Sequence, residues 1–220
     1  MASYFNLTLD TTAPAGVTLT INDGDLYTTS AVVELAIGTS DGNTQGYQMK
    51  IWGIQDAAEE AAASWEAFAT TKSVTLDSAN GMKTVHIKVR DSVGNESVEV
   101  TDSITLDTSV PVVTITGPDK TTISKIATFD TSIFNFSCDV AFEEYKICVV
   151  PANTSTQDAG TIIPTDGGSA NTSGSDGGYE ASTNIQVTIK GADLETASAG
   201  DGVKIIKVFV KTAAGTWSVA

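Results

Sequence analysis

Apolar and polar residues alternate with a period of two through most of the chain, broken at intervals by short runs rich in Asn, Asp, Gly and Pro. Val17, Leu19 and Ile21 lead into Asn22-Asp23-Gly24-Asp25, and Val33, Leu35 and Ile37 lead into Asp41-Gly42-Asn43-Thr44. Tyr47, Met49 and Ile51 follow, then Val74 and Leu76. The clearest alternation puts Val85, Ile87 and Val89 on one face and His86, Lys88 and Arg90 on the other. After the Asp91–Asn95 turn, Val98, Val100, Ile104 and Leu106 close the series. Successive strand side chains face opposite sides of a sheet, so this pattern predicts strands buried on one face only. Ala57–Ala63, with Glu59 and Glu60, has helix propensity over a length that also suits a loop turn. Seven or so short strands within roughly 100 residues is the pattern of an all-β sandwich.

That unit occurs twice. Leu106-Asp107-Thr108-Ser109-Val110-Pro111 nearly repeats Leu9-Asp10-Thr11-Thr12-Ala13-Pro14. A proline lacks a ladder donor and holds its predecessor extended, so each copy reads as a hinge. Two tandem sandwich domains are predicted, residues 1–108 and 109–220. Pro14 maps to Pro111 at an offset of 97, Tyr47 to Tyr145 at 98, and Val85–Ser97 to Ile206–Ser218 at 121. The second domain therefore carries 23 extra residues, most of them in the Gly/Ser-rich insertion 152–183. A loop of that length is either functional or disordered. Ahead of the first domain, Phe5, Leu7 and Leu9 alternate as a short strand or arm able to add to a neighbouring sheet edge.

Charge narrows the partners. With 27 acidic against 12 basic residues the formal net charge is −15, which argues against nucleic acid and anionic membrane surfaces and serves solubility. No apolar run has the length of a membrane span, and the start Met1-Ala2-Ser3-Tyr4-Phe5 lacks the pattern of a secretory signal. Cytoplasmic synthesis followed by assembly is the expectation. Of the two cysteines, Cys138 shares a face with Phe134 and Phe136, whereas Cys148 points away from the face of Tyr145, Ile147 and Val149. The thiols are expected to stay apart and reduced.

The boundary motif Leu-Asp-Thr-x-x-Pro, together with Gln48-Met49-Lys50-Ile51-Trp52, Ser64-Trp65-Glu66-Ala67-Phe68 and Lys83–Ser97, resembles the immunoglobulin-like (Big-type) repeats of bacterial surface proteins and bacteriophage virion proteins. The likeness extends over residues 5–111 and weakens beyond, where the equivalent turn reads Lys211-Thr212-Ala213-Ala214-Gly215-Thr216. It implies two tandem immunoglobulin-like β-sandwich domains. It also implies a non-enzymatic virion component, a decoration or accessory protein of a capsid or tail surface present in multiple copies. Its partners would be other virion proteins, with a host-surface glycan as a further contact during attachment. A cell-surface adhesin fragment and a carbohydrate-binding module are the alternatives.

Candidate chemistry is sparse. Gly38-Thr39-Ser40-Asp41-Gly42 matches the nucleophile-elbow pattern G-x-S-x-G, but the only histidine, His86, lies on the polar face of a strand, so the segment reads as a turn. Asp41-Gly42-Asn43-Thr44-Gln45-Gly46 starts like a calcium loop yet has Trp52 where the bidentate glutamate belongs. A Ca2+ site at a domain end would group Asp10 or Asp107 with Asp91 and Asn95, in keeping with calcium-binding repeats of secreted adhesins. Hydrogen bonding of these side chains to their own turns is the competing use. Thr212 and Thr216 replace Asp91 and Asn95 in the second domain. Trp52, Trp65, Phe68 and Tyr47 are candidates for a sugar platform, or else for core and edge cover. Phe5, Leu7, Trp52, Trp65 and Trp217 are the candidate partner contacts.

Overall fold

The computed structural model describes residues 5–151 and 156–219. The chain divides into two compact units, Met1–Thr108 and Ser109–Ala220. The first contains β1 (Thr18–Ile21), β2 (Tyr27–Thr28), β3 (Val32–Gly38), β4 (Gln48–Trp52), β5 (Glu66–Ala67), β6 (Thr71–Thr75), β7 (Gly81–Arg90) and β8 (Val100–Leu106). They form a three-stranded sheet, β1-β3-β6, and a five-stranded sheet, β2-β8-β7-β4-β5. The inward residues of both meet in one core in which Leu35, Leu76, Val85, Ile87, Val89 and Leu106 are fully buried. The fold is therefore a β-sandwich, and its inward residues are those the alternation assigns to the apolar face. Residues 57–63 hold a single 3-10 turn at Glu60–Ala62, because the segment bridges sheet edges and has no apolar stripe to bury.

The second unit contains β9 (Val113–Thr116), β10 (Thr131–Cys138), β11 (Glu144–Val150), β12 (Thr161–Ile162), β13 (Ser173–Gly174), β14 (Ile185–Lys190), α1 (Gly191–Ala197) and β15 (Ile205–Lys211). One sheet is β14-β10-β9; in the other, β11 pairs with β12 and β13 along one edge and with β15 along the opposite edge. Phe136, Phe142, Tyr145, Ile147, Val187 and Val210 fill the core between them.

The two units share their hydrogen bonding at the end of the hairpin. In the first, Ser97 N donates to Val89 O and Val89 N to Ser97 Oγ; in the second, Ser218 N donates to Val210 O and Val210 N to Ser218 Oγ. Asp91 and Asn95 bracket the first turn as Thr212 and Thr216 bracket the second. The offset of 121 thus holds, but the offset at the preceding strand does not. Gln48 pairs with Arg90 and Glu144 with Lys211, so β11 follows β4 at 96 residues, and Met49, not Tyr47, corresponds to Tyr145. The insertion accordingly amounts to 25 residues. A two-residue slip keeps every side chain on its face, which is why alternation alone does not detect it.

The described part of the insertion is stitched to both sheets. Ile147 N donates to Thr172 O, Ala170 and Thr188 exchange backbone hydrogen bonds, and Tyr179 does the same with Phe142, on which its ring stacks at 4.9 Å. The carboxylate of Asp193, on α1, accepts from Gly167 N at 2.6 Å and Ser169 N at 2.8 Å. Residues 156–183 are therefore a structural edge of the sandwich, and residues 152–155 lie outside the described set. Phe5–Leu9 forms no strand, and its three apolar side chains are each at least 85% exposed.

Candidate functional site

Of the four residues proposed for calcium, Asp10, Asp91 and Asn95 lie at one end of β7 and Asp107 at the other. Asp91 Oδ1 accepts from Val93 N and Asn95 N, both at 2.9 Å, and Oδ2 accepts from Asn95 Nδ2 at 2.7 Å. Burial pushes the Asp91 carboxyl up, but these donors, with Gly94 N–H, outweigh it and hold it below the usual carboxylate range. Asn95 Nδ2 also reaches Asp10 O at 3.3 Å, which brings Asp10 to this end of β7. Asp107 sits at the other end of the strand beside Asn80. Ten residues of β7 separate the two ends, about 30 Å, so Asp107 cannot share a cation with Asp91. Among the described residues no group of three or more His, Cys, Asp or Glu is placed to hold a metal ion. Asp41 Oδ2 accepts from Tyr47 Oη at 3.1 Å and Ala15 N at 3.3 Å; burial and then this acceptor push the Tyr47 hydroxyl up. The loop closes the end of the sandwich.

Ser40 and His86 are likewise apart. Ser40 N donates to Ala15 O in the turn after β3, whereas His86 lies on the outer face of the other sheet, its Nδ1 2.7 Å from Glu99 Oε1. The aromatic residues also separate. Tyr47 and Phe68 pack edge to face at 6.5 Å against the core, while Trp52 and Trp65 lie on the outer face of the five-stranded sheet. Trp52 is only 5% exposed and stacks on His86 at 5.3 Å, which leaves it no open face for a sugar.

What the outer face does carry is a run of cations and rings. Trp65 has Lys50 Nζ at 4.8 Å and Arg90 Cζ at 4.4 Å over its ring. Arg90 donates from Nε and Nη2 to Gln48 Oε1, and Glu60 pairs with Lys88 at 2.9 Å and Lys50 at 3.7 Å. Hydrogen bonding to Lys88 lowers the Glu60 carboxyl and raises the Lys88 ammonium. In the second unit Trp217 takes the corresponding place, with Lys146 Nζ at 4.6 Å and Lys211 Nζ at 5.7 Å over its ring and both lysines paired to Glu144. Trp217 also packs against Cys148, Val150 and Phe209, a small apolar cluster on the outer face of β11 and β15. These clamps are structural: a cation over a ring keeps its charge in water and covers apolar surface with its stem. Sequence reasoning marked the tryptophans but not their cations, whose signal is the run of Lys and Arg on the polar side of the alternation.

One cleft stands out in the second unit, at the side of the sandwich bounded by β9 and the approach to β15. It encloses about 710 Å³ and is lined largely by apolar groups, among them Ile115, Phe134, Ile189 and Ile206. Among the described residues, no helix is long and apolar enough to cross a membrane.

No family model matches the chain, and no curated protein matches it. Solved structures similar to it include the fibronectin(III)-like modules of Clostridium thermocellum CbhA, at 14% identity over 91% of this chain and 89% of that one, TM-score 0.46. The D00-D0 domain of intimin is 16% identical over 93% and 95%, TM-score 0.33, and chicken CNTN1 FN1-FN3 domains are 13% identical over 94% and 63%, TM-score 0.41.

Proposed function

We propose that the protein is a non-enzymatic structural module, an immunoglobulin-like decoration or accessory component on the capsid or tail surface of a bacteriophage, bound in multiple copies to other virion proteins. The observation that carries an assembly role is the arm. Phe5, Leu7 and Leu9 are exposed by 85%, 86% and 85% on a segment with no strand partner among the described residues. An extended segment with an alternating apolar face is completed by the edge of a sheet, which supplies both ladder hydrogen bonds and pockets for alternate side chains. The acidic balance of the chain favours protein contact through shape and apolar surface over nucleic acid. Repetition on a symmetric particle lets individually weak contacts act together. The virion setting is supported by the sequence likeness of residues 5–111 to immunoglobulin-like repeats of phage proteins.

Cryo-electron microscopy of the particle encoded alongside this chain tests the proposal. Paired sandwich densities at symmetric positions are the expected result. Particles lacking them, with the protein found instead on the bacterial envelope, would replace the virion reading with the adhesin one.

A further inference from the structure

In the first unit β6 forms one edge of its sheet and pairs with β3 alone. Ile37 N donates to Thr70 O and Leu76 N to Ala31 O, both at 2.8 Å. Main-chain groups alternate in direction along an antiparallel ladder, so Lys72 and Val74 turn theirs toward β3 while Thr71, Ser73 and Thr75 turn theirs away. Thr75 O accepts from Gln55 N at 2.8 Å, which closes that end of the edge. The N–H and C=O groups of Thr71 and Ser73 have no hydrogen-bond partner among the described residues.

A groove of about 460 Å³ adjoins this edge. Ile54, Ala57, Ala63 and Val74 supply its apolar lining, and Asp56 and Glu66 its carboxylates. Edge strands are commonly guarded by a charged side chain that repels an incoming strand. Here Lys72, on the same side of β6 as buried Val74, forms an ion pair with Glu66 of β5, so its charge is neutralised. Asp56 is exposed and in no ion pair among the described residues. On the outer face of the sheet, exposed Glu34 lies opposite Ser73.

We propose that this groove takes a short extended peptide of a partner protein, with apolar and basic side chains in alternation, as an added strand beside β6. The occupant is a polypeptide because Thr71 and Ser73 offer a donor and an acceptor each, repeated at roughly 6.8 Å, the spacing of alternate residues in an extended chain. Side chains of an added strand alternate between the two faces of the sheet. Those turned inward meet Ile54 and Val74 and are therefore apolar; those turned outward lie on the side of Glu34 and are therefore basic, with Asp56 adding to the field. The net charge of −15 draws a cationic segment to the same surface. A second copy of the chain fits less well than a single strand. The edge of a sandwich is two layers thick, and residues 62–64 line the groove along with β6 and narrow the approach. The inference rests on the first unit alone and is independent of the virion reading.

The test uses the full chain and two fluorescently labelled hexapeptides, Lys-Val-Lys-Val-Lys-Val and Glu-Val-Glu-Val-Glu-Val, followed by anisotropy and by amide hydrogen exchange. The basic peptide should bind roughly tenfold or more tighter than the acidic one. At saturation it should slow exchange of the Thr71 and Ser73 amides roughly tenfold or more. Ser73→Pro removes a donor that points away from β3, so it leaves the β3 ladder intact and should abolish both effects; its melting temperature checks that it folds. Asp56→Lys, at an exposed position, should weaken the basic peptide roughly tenfold and gives an independent reading should the proline variant not fold. No binding of the basic peptide, equal binding of both peptides, or binding that leaves Thr71 and Ser73 exchange unchanged overturns the proposal. So does self-association of the unmodified chain that protects these two amides and is lost in Ser73→Pro, which assigns the edge to a second copy.

Discussion

Trp65 and Trp217 cap equivalent cation pairs, although they come from unrelated places in the two units. Lys50 and Arg90 correspond through the sheet register to Lys146 and Lys211, yet Trp65 arrives from the segment entering β5 and Trp217 from the turn after β15. The outer face of this sheet has thus been covered twice by the same chemistry, with different chain segments supplying the ring.

Trp217 has the larger role of the two, since it also shields Cys148, Val150 and Phe209. Trp217→Ala is expected to cost about 2–4 kcal/mol, below the full range for a buried tryptophan because the ring is only partly buried. Trp65→Ala, over cations alone, should cost about 1 kcal/mol. Guanidinium unfolding of the full chain measures both, and equal losses would contradict the distinction.

Acid should loosen both units. Burial raises the Asp193 carboxyl, but the Ser169 hydroxyl and the Ser169 and Gly167 N–H groups outweigh it, and Asp91 is depressed in the same way by its turn. A carboxyl whose folded pKa lies below its unfolded value contributes stability that is complete above the unfolded pKa, about 3.9, and is lost as pH falls through the folded one. The melting temperature should therefore be level with respect to these groups near neutrality and fall below about pH 4. Asp193→Asn, which removes one charged acceptor from buried N–H groups, should cost about 1–3 kcal/mol at pH 7 and flatten that fall.

The two thiols should be inert in the folded protein. Burial pushes both Cys138 and Cys148 up, and they face opposite sides of their sheets, one in the core and one in the outer cluster. Alkylation at pH 8 should be slow for both and rise to the free-thiol rate in denaturant. Oxidation of the native chain should leave them unlinked. Trp217→Ala should speed the reaction of Cys148 selectively, which mass spectrometry of the labelled peptides would reveal.

Leu106 and Leu9 stand at matching places in the repeated motif but in opposite environments. Leu106→Ala opens a cavity in the first core and should cost about 2–5 kcal/mol. Leu9→Ala should leave the chain's unfolding within about 0.5 kcal/mol of the parent. A large loss of stability from Leu9→Ala in dilute solution would show that the arm is already packed within its own chain.

Much of the sandwich was legible because alternation is a local signal: Val85, Ile87 and Val89 read as inward and are fully buried. Register was not, since a slip of two residues preserves facing, and the Tyr145 match to Tyr47 was wrong for that reason. The helix Gly191–Ala197 escaped notice, being a seven-residue piece whose Asp193 is fixed by tertiary hydrogen bonds. Of the two aspartates offered for the candidate calcium set, Asp10 stands beside Asn95 and Asp107 at the far end of β7, because a repeated motif places like residues at successive hinges and not side by side. The cleft leaves no mark in composition, since its lining comes from segments far apart in the chain.

The exit of the two chain ends from opposite ends of β7 has a mechanical consequence. β1 begins at the Asn95 end and β8 finishes at the Asn80 end, so tension on the chain draws them apart along their own axes. The hydrogen bonds of β1 to β3 and of β8 to β7 then share the load side by side, and none can be peeled open singly. Such a unit is built to be pulled lengthwise: it yields by sliding, with many bonds giving way together, and its lifetime under force is set by that one event.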